Sequence, residues 1–507
     1  MKAKRGCWTC KQRKIGCDKT IPRCNNCNRS QRLCEGYGIR LNWPDQLQSR
    51  RDDHIVCFVP EGFSAGESIS TQQRRFCNTT YRDFALAKQE RLTWLQIIKR
   101  LCAEPSPSLT LHLPAVGNDA MLLTYYEQII APMCSTTRAW NGFQFQVLPM
   151  ALSSRDKVSR SLCNSMLAIS AHHRQLPGAA LAYKVAAMKG LHESVTTLGG
   201  GLCVVSPETT LATAMMLCMY SVFDEEEAQF HAHLEGAKKI LSCLPASQRR
   251  QPAIEFLVNW ILYYDILSNF AQPFRDSQAH REIAFSRDPQ TRPDLVRNTV
   301  AHFYTPLTFR KIVGLLGCSI EVFDIISSVN KVRAEVLEHA NRDITGTRWQ
   351  MRVALEEKLR NLTQNFSPDE VAHSTCDQII ASTATAELYR LATLLYLVRV
   401  VPVHGDEAQR NAYLDQAFMA LGQVRVATCP WPVFIIACES RTEEQRMKIL
   451  NVLDCMDSAR NVGNVRITRN IIQTIWRQQD LRGSADMTGP VPWWLCIESS
   501  IPVPWFT

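Results

Sequence analysis

A chain of 507 residues is longer than one hydrophobic core ordinarily supports, so more than one folding unit is expected. A composition of 46% hydrophobic and 21% charged residues belongs to a globular protein and disfavours a disordered chain. No apolar run of about 18 residues is present and "MKAKRGC" places no apolar segment behind its charges, so neither a spanning helix nor a secretory leader is expected and the chain reads as intracellular.

The net charge of +9 is confined to residues 1–40, which hold eleven basic and two acidic residues, while the remainder balances at 46 of each sign. A polyanionic partner for that end follows. The same stretch carries Cys7, Cys10, Cys17, Cys24, Cys27 and Cys34, in which the spacing C-x2-C-x6-C occurs twice. Two C-x2-C hooks suit tetrahedral zinc, because each presents two thiolates to one ion. Disulfides would suit a small secreted domain instead. Two tetrahedral ions need eight ligand positions, so with six thiols two must bridge, and the repeat points to Cys7 and Cys24. A single ion held by four of the six thiols is the alternative.

This spacing, with "CDK" at 17–19 and Pro22 two residues before the fourth cysteine, resembles the fungal binuclear zinc-cluster family of transcription factors. The resemblance implies two Zn²⁺ bridged by Cys7 and Cys24, with Cys10 and Cys17 completing one site and Cys27 and Cys34 the other. It also implies that Lys14, three residues before the third cysteine, reads a CGG-type triplet, while Lys11 and Arg13, with Lys4 and Arg5, meet phosphates. The residues agree: "KQRKIG" at 11–16 is the more basic half, and lysine can donate to guanine O6 and N7. Lys11 and Lys14, three apart, are expected on one face of a short helix. Gly16 stands where relatives commonly carry a basic residue, and its expected use is a left-handed helix end.

Residues 41–109 read as a linker. "HIVCFVP" at 54–60 and "RRFCNTTY" at 74–81 suggest short strands, and 82–103 suggests an amphipathic helix too short for a coiled coil. The stretch after Cys34 resembles acriflavine-sensitivity-control-like regulators. From 110 to 507 helical periodicity dominates, over 119–131, 161–174, 179–198, 207–223, 228–243, 254–270, 319–340, 349–362, 376–399 and 411–425. No alternation of strands with helices suggests a Rossmann or barrel enzyme. The words "LLTYYEQIIAPM", "NSMLAISAHH", "HLEGAKKIL" and "WPVFIIACES" resemble, in their order, the fungal-specific transcription factor domain, which implies an all-helical regulatory body.

The expected fold class is therefore mostly α, with a two-zinc domain (1–40), a short β/linker segment (41–109) and a large helical body (110–507). His172–His173, His231, His233 and "CES" at 438–440 form no catalytic motif, and "DEEE" at 224–227 reads as a solvated loop. The expected function is a nuclear, RNA polymerase II type regulator that binds double-stranded DNA, with no enzymatic activity and no membrane. The body is expected to meet a second copy or a co-regulator. Met215, Met216 and Met219 suggest an effector pocket within it, against the plainer reading as core.

Overall fold

The computed structural model describes residues 6–20, 23–34, 118–137, 141–198, 201–227, 229–273, 294–338, 345–424, 426–483, 492–497 and 505–506, with the backbone pairs 56–57 and 77–78. The expected amphipathic helix at 82–103, with Lys4 and Arg5, lies outside these residues. The chain divides into two compact units, Met1–Leu109 and Thr110–Thr507.

The first unit holds α1 (Trp8–Gln12) and α2 (Asn25–Arg29). It also holds β1 (Val56–Cys57) and β2 (Cys77–Asn78), which pair antiparallel with Val56 opposite Asn78. These strands fall inside the two segments read as strands from sequence.

The second unit is built of helices. Its chain order begins with α3 (Asn118–Tyr125), a π turn (Tyr126–Ile130), α4 (Ala131–Met133), a second π turn (Phe143–Val147), α5 (Leu148–Leu152), α6 (Lys157–His173) and α7 (Pro177–Ser194). A hairpin of β3 (Val195–Leu198) and β4 (Gly201–Val204) follows, then α8 (Pro207–Phe223), α9 (Phe230–Cys243), α10 (Ala246–Arg249), α11 (Pro252–Phe270) and α12 (Asp294–Val300). After a small hairpin, β5 (Ile312–Val313) and β6 (Cys318–Ser319), come α13 (Ile320–Glu338), α14 (Thr345–Arg360), α15 (Pro368–His373) and α16 (Cys376–Val400). The last are α17 (Glu407–Gln423), α18 (Pro430–Glu439), α19 (Glu443–Arg460) and α20 (Gly463–Gly483). No helix among the described residues is long and apolar enough to cross a membrane.

The 25-residue α16 runs through the middle of this unit and packs against α13, α14, α17 and α18. Thr375 and Gln378 start it with a reciprocal capping box, which satisfies two amide donors that would otherwise lack partners. Every residue of α18, "PWPVFIIACE", is buried, so this helix has no polar face and no amphipathic signal. Its Trp431 stacks on Tyr389 at 5.8 Å, and Phe270 meets Tyr396, Trp431 and Phe434 around it. The described residues of the Trp- and Pro-rich tail, 492–497 and 505–506, join the same core. Trp493 and Phe506 lie on Phe270, Trp505 stacks on Phe230 at 4.2 Å, and the Cys429 thiol donates to the Phe506 carbonyl at 3.0 Å.

One charge is held deep in this core. Glu439, 4% exposed, accepts from Arg399 Nε at 2.8 Å and from Arg410 Nη1 at 3.3 Å. Removing it takes away the carboxylate that two largely buried arginines share, leaving Arg410 its longer pair to Glu407 at 3.7 Å. Glu439→Ala is therefore expected to destabilise the body by about 3–5 kcal/mol, read as a fall in its denaturant midpoint. An unchanged midpoint would show that water reaches both guanidinium groups.

Candidate metal centre and nucleic-acid interface

The six cysteines are positioned by two copies of one local structure, offset by 17 residues. Cys7 and Cys24 each take an extended backbone and cap a five-residue helix, their Sγ atoms accepting from the Cys10 and Cys27 amides at 3.4 and 3.3 Å. One helical turn then brings the second thiol of each C-x2-C pair beside the first.

Both helices end the same way. In the first, Lys14 N–H donates to the Lys11 carbonyl and Ile15 N–H to the Cys10 carbonyl; in the second, Gln31 and Arg32 repeat this on Asn28 and Cys27. This is a Schellman end, and it requires a left-handed residue. Lys14 (φ 53°) and Gln31 (φ 51°) fill that position. The expectation that Gly16 ends the helix is therefore corrected. The helix stops at Gln12, so the left-handed position falls two residues earlier, while Gly16 only offers its carbonyl to Asn26 Nδ2 at 2.6 Å. The expected shared face of Lys11 and Lys14 is corrected as well, because Lys14 lies beyond the last helical turn.

The sulfurs converge. Cys7 Sγ lies 3.6 Å from Cys24 Sγ and 3.7 Å from Cys27 Sγ, and Cys10 Sγ lies 3.6 and 3.8 Å from the same pair. A disulfide needs about 2.05 Å, so none of these is bonded. A tetrahedron with Zn–S bonds of about 2.3 Å has edges of about 3.8 Å, which these spacings approach. Two groups of four thiols form, Cys7, Cys10, Cys17, Cys24 and Cys7, Cys24, Cys27, Cys34, each with its sulfurs within 4.8 Å of one another. Only Cys7 and Cys24 belong to both. Six soft donors, with no oxygen or nitrogen ligand grouped with them among the described residues, fit zinc.

Protons compete with a metal for the same sulfurs. Burial pushes the Cys7 thiol well up and takes Cys24 up to about 12. Burial also opposes ionisation of Cys17, but amide donors from Cys7 and Lys19 outweigh it and bring that thiol down to about 7. Ionising the whole set needs a cation, so metal uptake displaces protons.

The halves are tied together by residues that the cysteine count did not single out. Asp18 accepts from the Asn25 and Asn26 amides at 3.0 and 3.3 Å and from the Thr20 hydroxyl, filling the open N-terminus of α2. Those donors, the Thr20 hydroxyl first, hold its carboxyl well below the usual range. Thr9 Oγ1 donates to the Leu33 carbonyl at 3.1 Å. The signal in sequence was the aspartate of "CDK", whose partner sits seven residues away.

Lys14, Lys11 and Arg13 are all exposed. Lys11 Nζ rests 4.7 Å from the Trp8 ring centroid, so an aromatic ring steadies this cation at helical spacing i, i+3. Arg13 Nη1 reaches Ser30 Oγ of the other half at 3.3 Å. Lys14 is left at the helix end with its backbone turned out of the helical path.

The enzyme-like words of the body are structural. His173 lies between Tyr125 Oη (2.7 Å) and the Arg460 carbonyl (2.6 Å), and Ser440 Oγ donates to the Ile436 carbonyl. Burial brings His233 down to about 4. The "DEEE" loop is more than solvated, since Glu227 pairs with Lys184 and Glu225 with Arg466. Met215, Met216 and Met219 are buried, and Met219 borders a cavity of about 50 Å³, with room for a water or two. The plainer reading of these methionines as core holds.

Residues 5–44 match the family described as the Fungal Zn(2)-Cys(6) binuclear cluster domain, and residues 121–504 the Fungal specific transcription factor domain. The chain is 22% identical to Transcription factor iacI of Pestalotiopsis fici over 339 residues, 65% of this chain and 80% of that protein. It is 23% identical over 198 residues to Pestheic acid cluster transcriptional regulator 3 of the same fungus, 35% of this chain and 34% of that protein. Over 43 residues it is 46% identical to Arginine metabolism regulation protein II of Saccharomyces cerevisiae, 8% of this chain and 5% of that protein. No solved structure matches.

Proposed function

The chain belongs to the fungal transcription factors that join a Zn(2)-Cys(6) cluster to a fungal specific transcription factor domain, DNA-binding regulators rather than enzymes, and from that premise we propose that it reads CGG-type triplets in double-stranded DNA through a cluster of two zinc ions. Cys7 and Cys24 bridge the ions, Cys10 and Cys17 complete one site, and Cys27 and Cys34 the other. The observation that carries this reading is the pair of four-thiol groups with two members in common, beside an exposed lysine at the end of α1. Zinc supplies no chemistry on the DNA; it neutralises thiolates and fixes the backbone that presents Lys14.

Lys14 donates to guanine O6 and N7 in the major groove. Lys11 and Arg13, with Lys4 and Arg5, meet phosphates and set the register. The domain boundaries proposed are 1–40 for DNA, 41–109 for the linker and 110–507 for the helical regulatory body. The protein acts in the nucleus, and a second copy or a co-regulator docks on the body.

A selection of the full-length protein over random duplexes tests the reading. A CGG-type triplet should be enriched, and enrichment should vanish when zinc is chelated. No enriched motif would leave the cluster as a protein-binding scaffold. Four phosphate contacts, with Gly16 supplying none, should give a shallow log–log salt slope of about −3 to −4.

A further inference from the structure

The two halves of the cysteine cluster are related by more than a sequence repeat. Three pairs of residues 17 apart meet each other: Cys7 Sγ lies 3.6 Å from Cys24 Sγ, Cys10 Sγ 3.8 Å from Cys27 Sγ, and Arg13 Nη1 3.3 Å from Ser30 Oγ. Two further contacts exchange under the same relation. Thr9 Oγ1 donates to the Leu33 carbonyl at 3.1 Å, and Asn26 Nδ2, its counterpart, to the Gly16 carbonyl at 2.6 Å. Contacts between equivalent residues fall on a two-fold axis. An approximate dyad therefore runs from the thiols to Arg13 and Ser30.

Arg13 and Ser30 are the residues that cap the C-terminal ends of α1 and α2. Both helices thus finish at the same end of the dyad. The residues just beyond, Lys14 and Gln31, stand on either side of it, both exposed and both left-handed. Arg29 and Arg32, also exposed, keep the second end positive. A face that turns Lys14 toward DNA turns Gln31 toward it too.

The two positions differ in chemistry. The glutamine amide holds a donor and an acceptor side by side and pairs bidentate with adenine N6 and N7 in the major groove, where lysine suits guanine. We propose that Gln31 is a second base-reading residue, which selects adenine at a fixed position beside the triplet. This rests on the reading proposed for Lys14. Gln31 adds sequence content without charge, so the salt slope expected of four phosphate contacts is unchanged.

Selection over random duplexes with the full-length parent, Gln31→Ala and Gln31→Lys tests this, with zinc content measured for each. The parent should enrich adenine at one spacing from CGG, about five- to 150-fold over other bases. Gln31→Ala should keep the parent's zinc and the triplet but lose the adenine, because alanine meets the same left-handed backbone as glutamine. Gln31→Lys should exchange adenine for guanine at that position. The proposal falls if the parent shows no preference outside the triplet, or if adenine stays preferred in either variant. It falls as well if Gln31→Ala loses zinc or the triplet along with the adenine, since Gln31 would then support the cluster. A parent that enriches no CGG overturns the Lys14 reading and this inference together, whereas CGG without the adenine overturns this inference alone.

Discussion

Cys24→Ser should empty both zinc sites, whereas Cys34→Ser should leave one ion bound. Cys24 belongs to both groups of four sulfurs and Cys34 to one, so the two substitutions remove the same atom type from unequal positions. Serine keeps an oxygen able to cap α2, and the Cys27 amide therefore retains an acceptor. The loss would then report on the metal and not on the helix. Structural zinc in small domains contributes on the order of 10–16 kcal/mol to folding, so a cluster without either ion should unfold. Metal analysis should read close to two zinc ions per parent chain, about one in Cys34→Ser and close to none in Cys24→Ser. Cys7→Ser should follow Cys24→Ser, and Cys17→Ser should follow Cys34→Ser. A parent chain holding a single ion would overturn the bridging scheme and return the one-ion alternative.

Much of this centre is legible in sequence because a metal cluster is a short-range object. Spacings of two and six residues fix which thiols one turn of helix can bring together, and ligand counting needs no tertiary information. The same holds for α8, where the apolar run 207–223 and the helix Pro207–Phe223 coincide. Features that depend on distant partners were not legible. The helix expected over 179–198 stops at Ser194, because β-branched Val195, Thr196 and Thr197 pair with Val204, Cys203 and Leu202 of a second strand. The helix α18 gave no period because both of its faces are buried. Asp18 looked like one more charge until the fold set it under α2.

Lys14 raises the sharper question, since the residue proposed to read guanine also occupies a backbone conformation that favours glycine. A left-handed non-glycine residue costs about 1–2 kcal/mol, and glycine carries no such penalty. The two demands can be separated by two substitutions. Lys14→Ala keeps the backbone penalty and removes the ammonium. Lys14→Gly removes both.

Zinc retention against a chelator should be unchanged in the alanine variant and improved in the glycine variant, by about 1 kcal/mol. Preference for a CGG duplex over a scrambled one should fall in both, by about 1–3 kcal/mol, which is roughly five- to 150-fold. Affinity for the scrambled duplex should change much less, because the phosphate contacts proposed for Lys11, Arg13, Lys4 and Arg5 remain. A variant with a firmer fold and weaker readout would show that lysine is kept at this position for DNA, against the preference of the backbone. An alanine variant that keeps the full CGG preference would move base reading away from Lys14. A glycine variant that loses zinc more readily would mean that Lys14 supports the cluster itself.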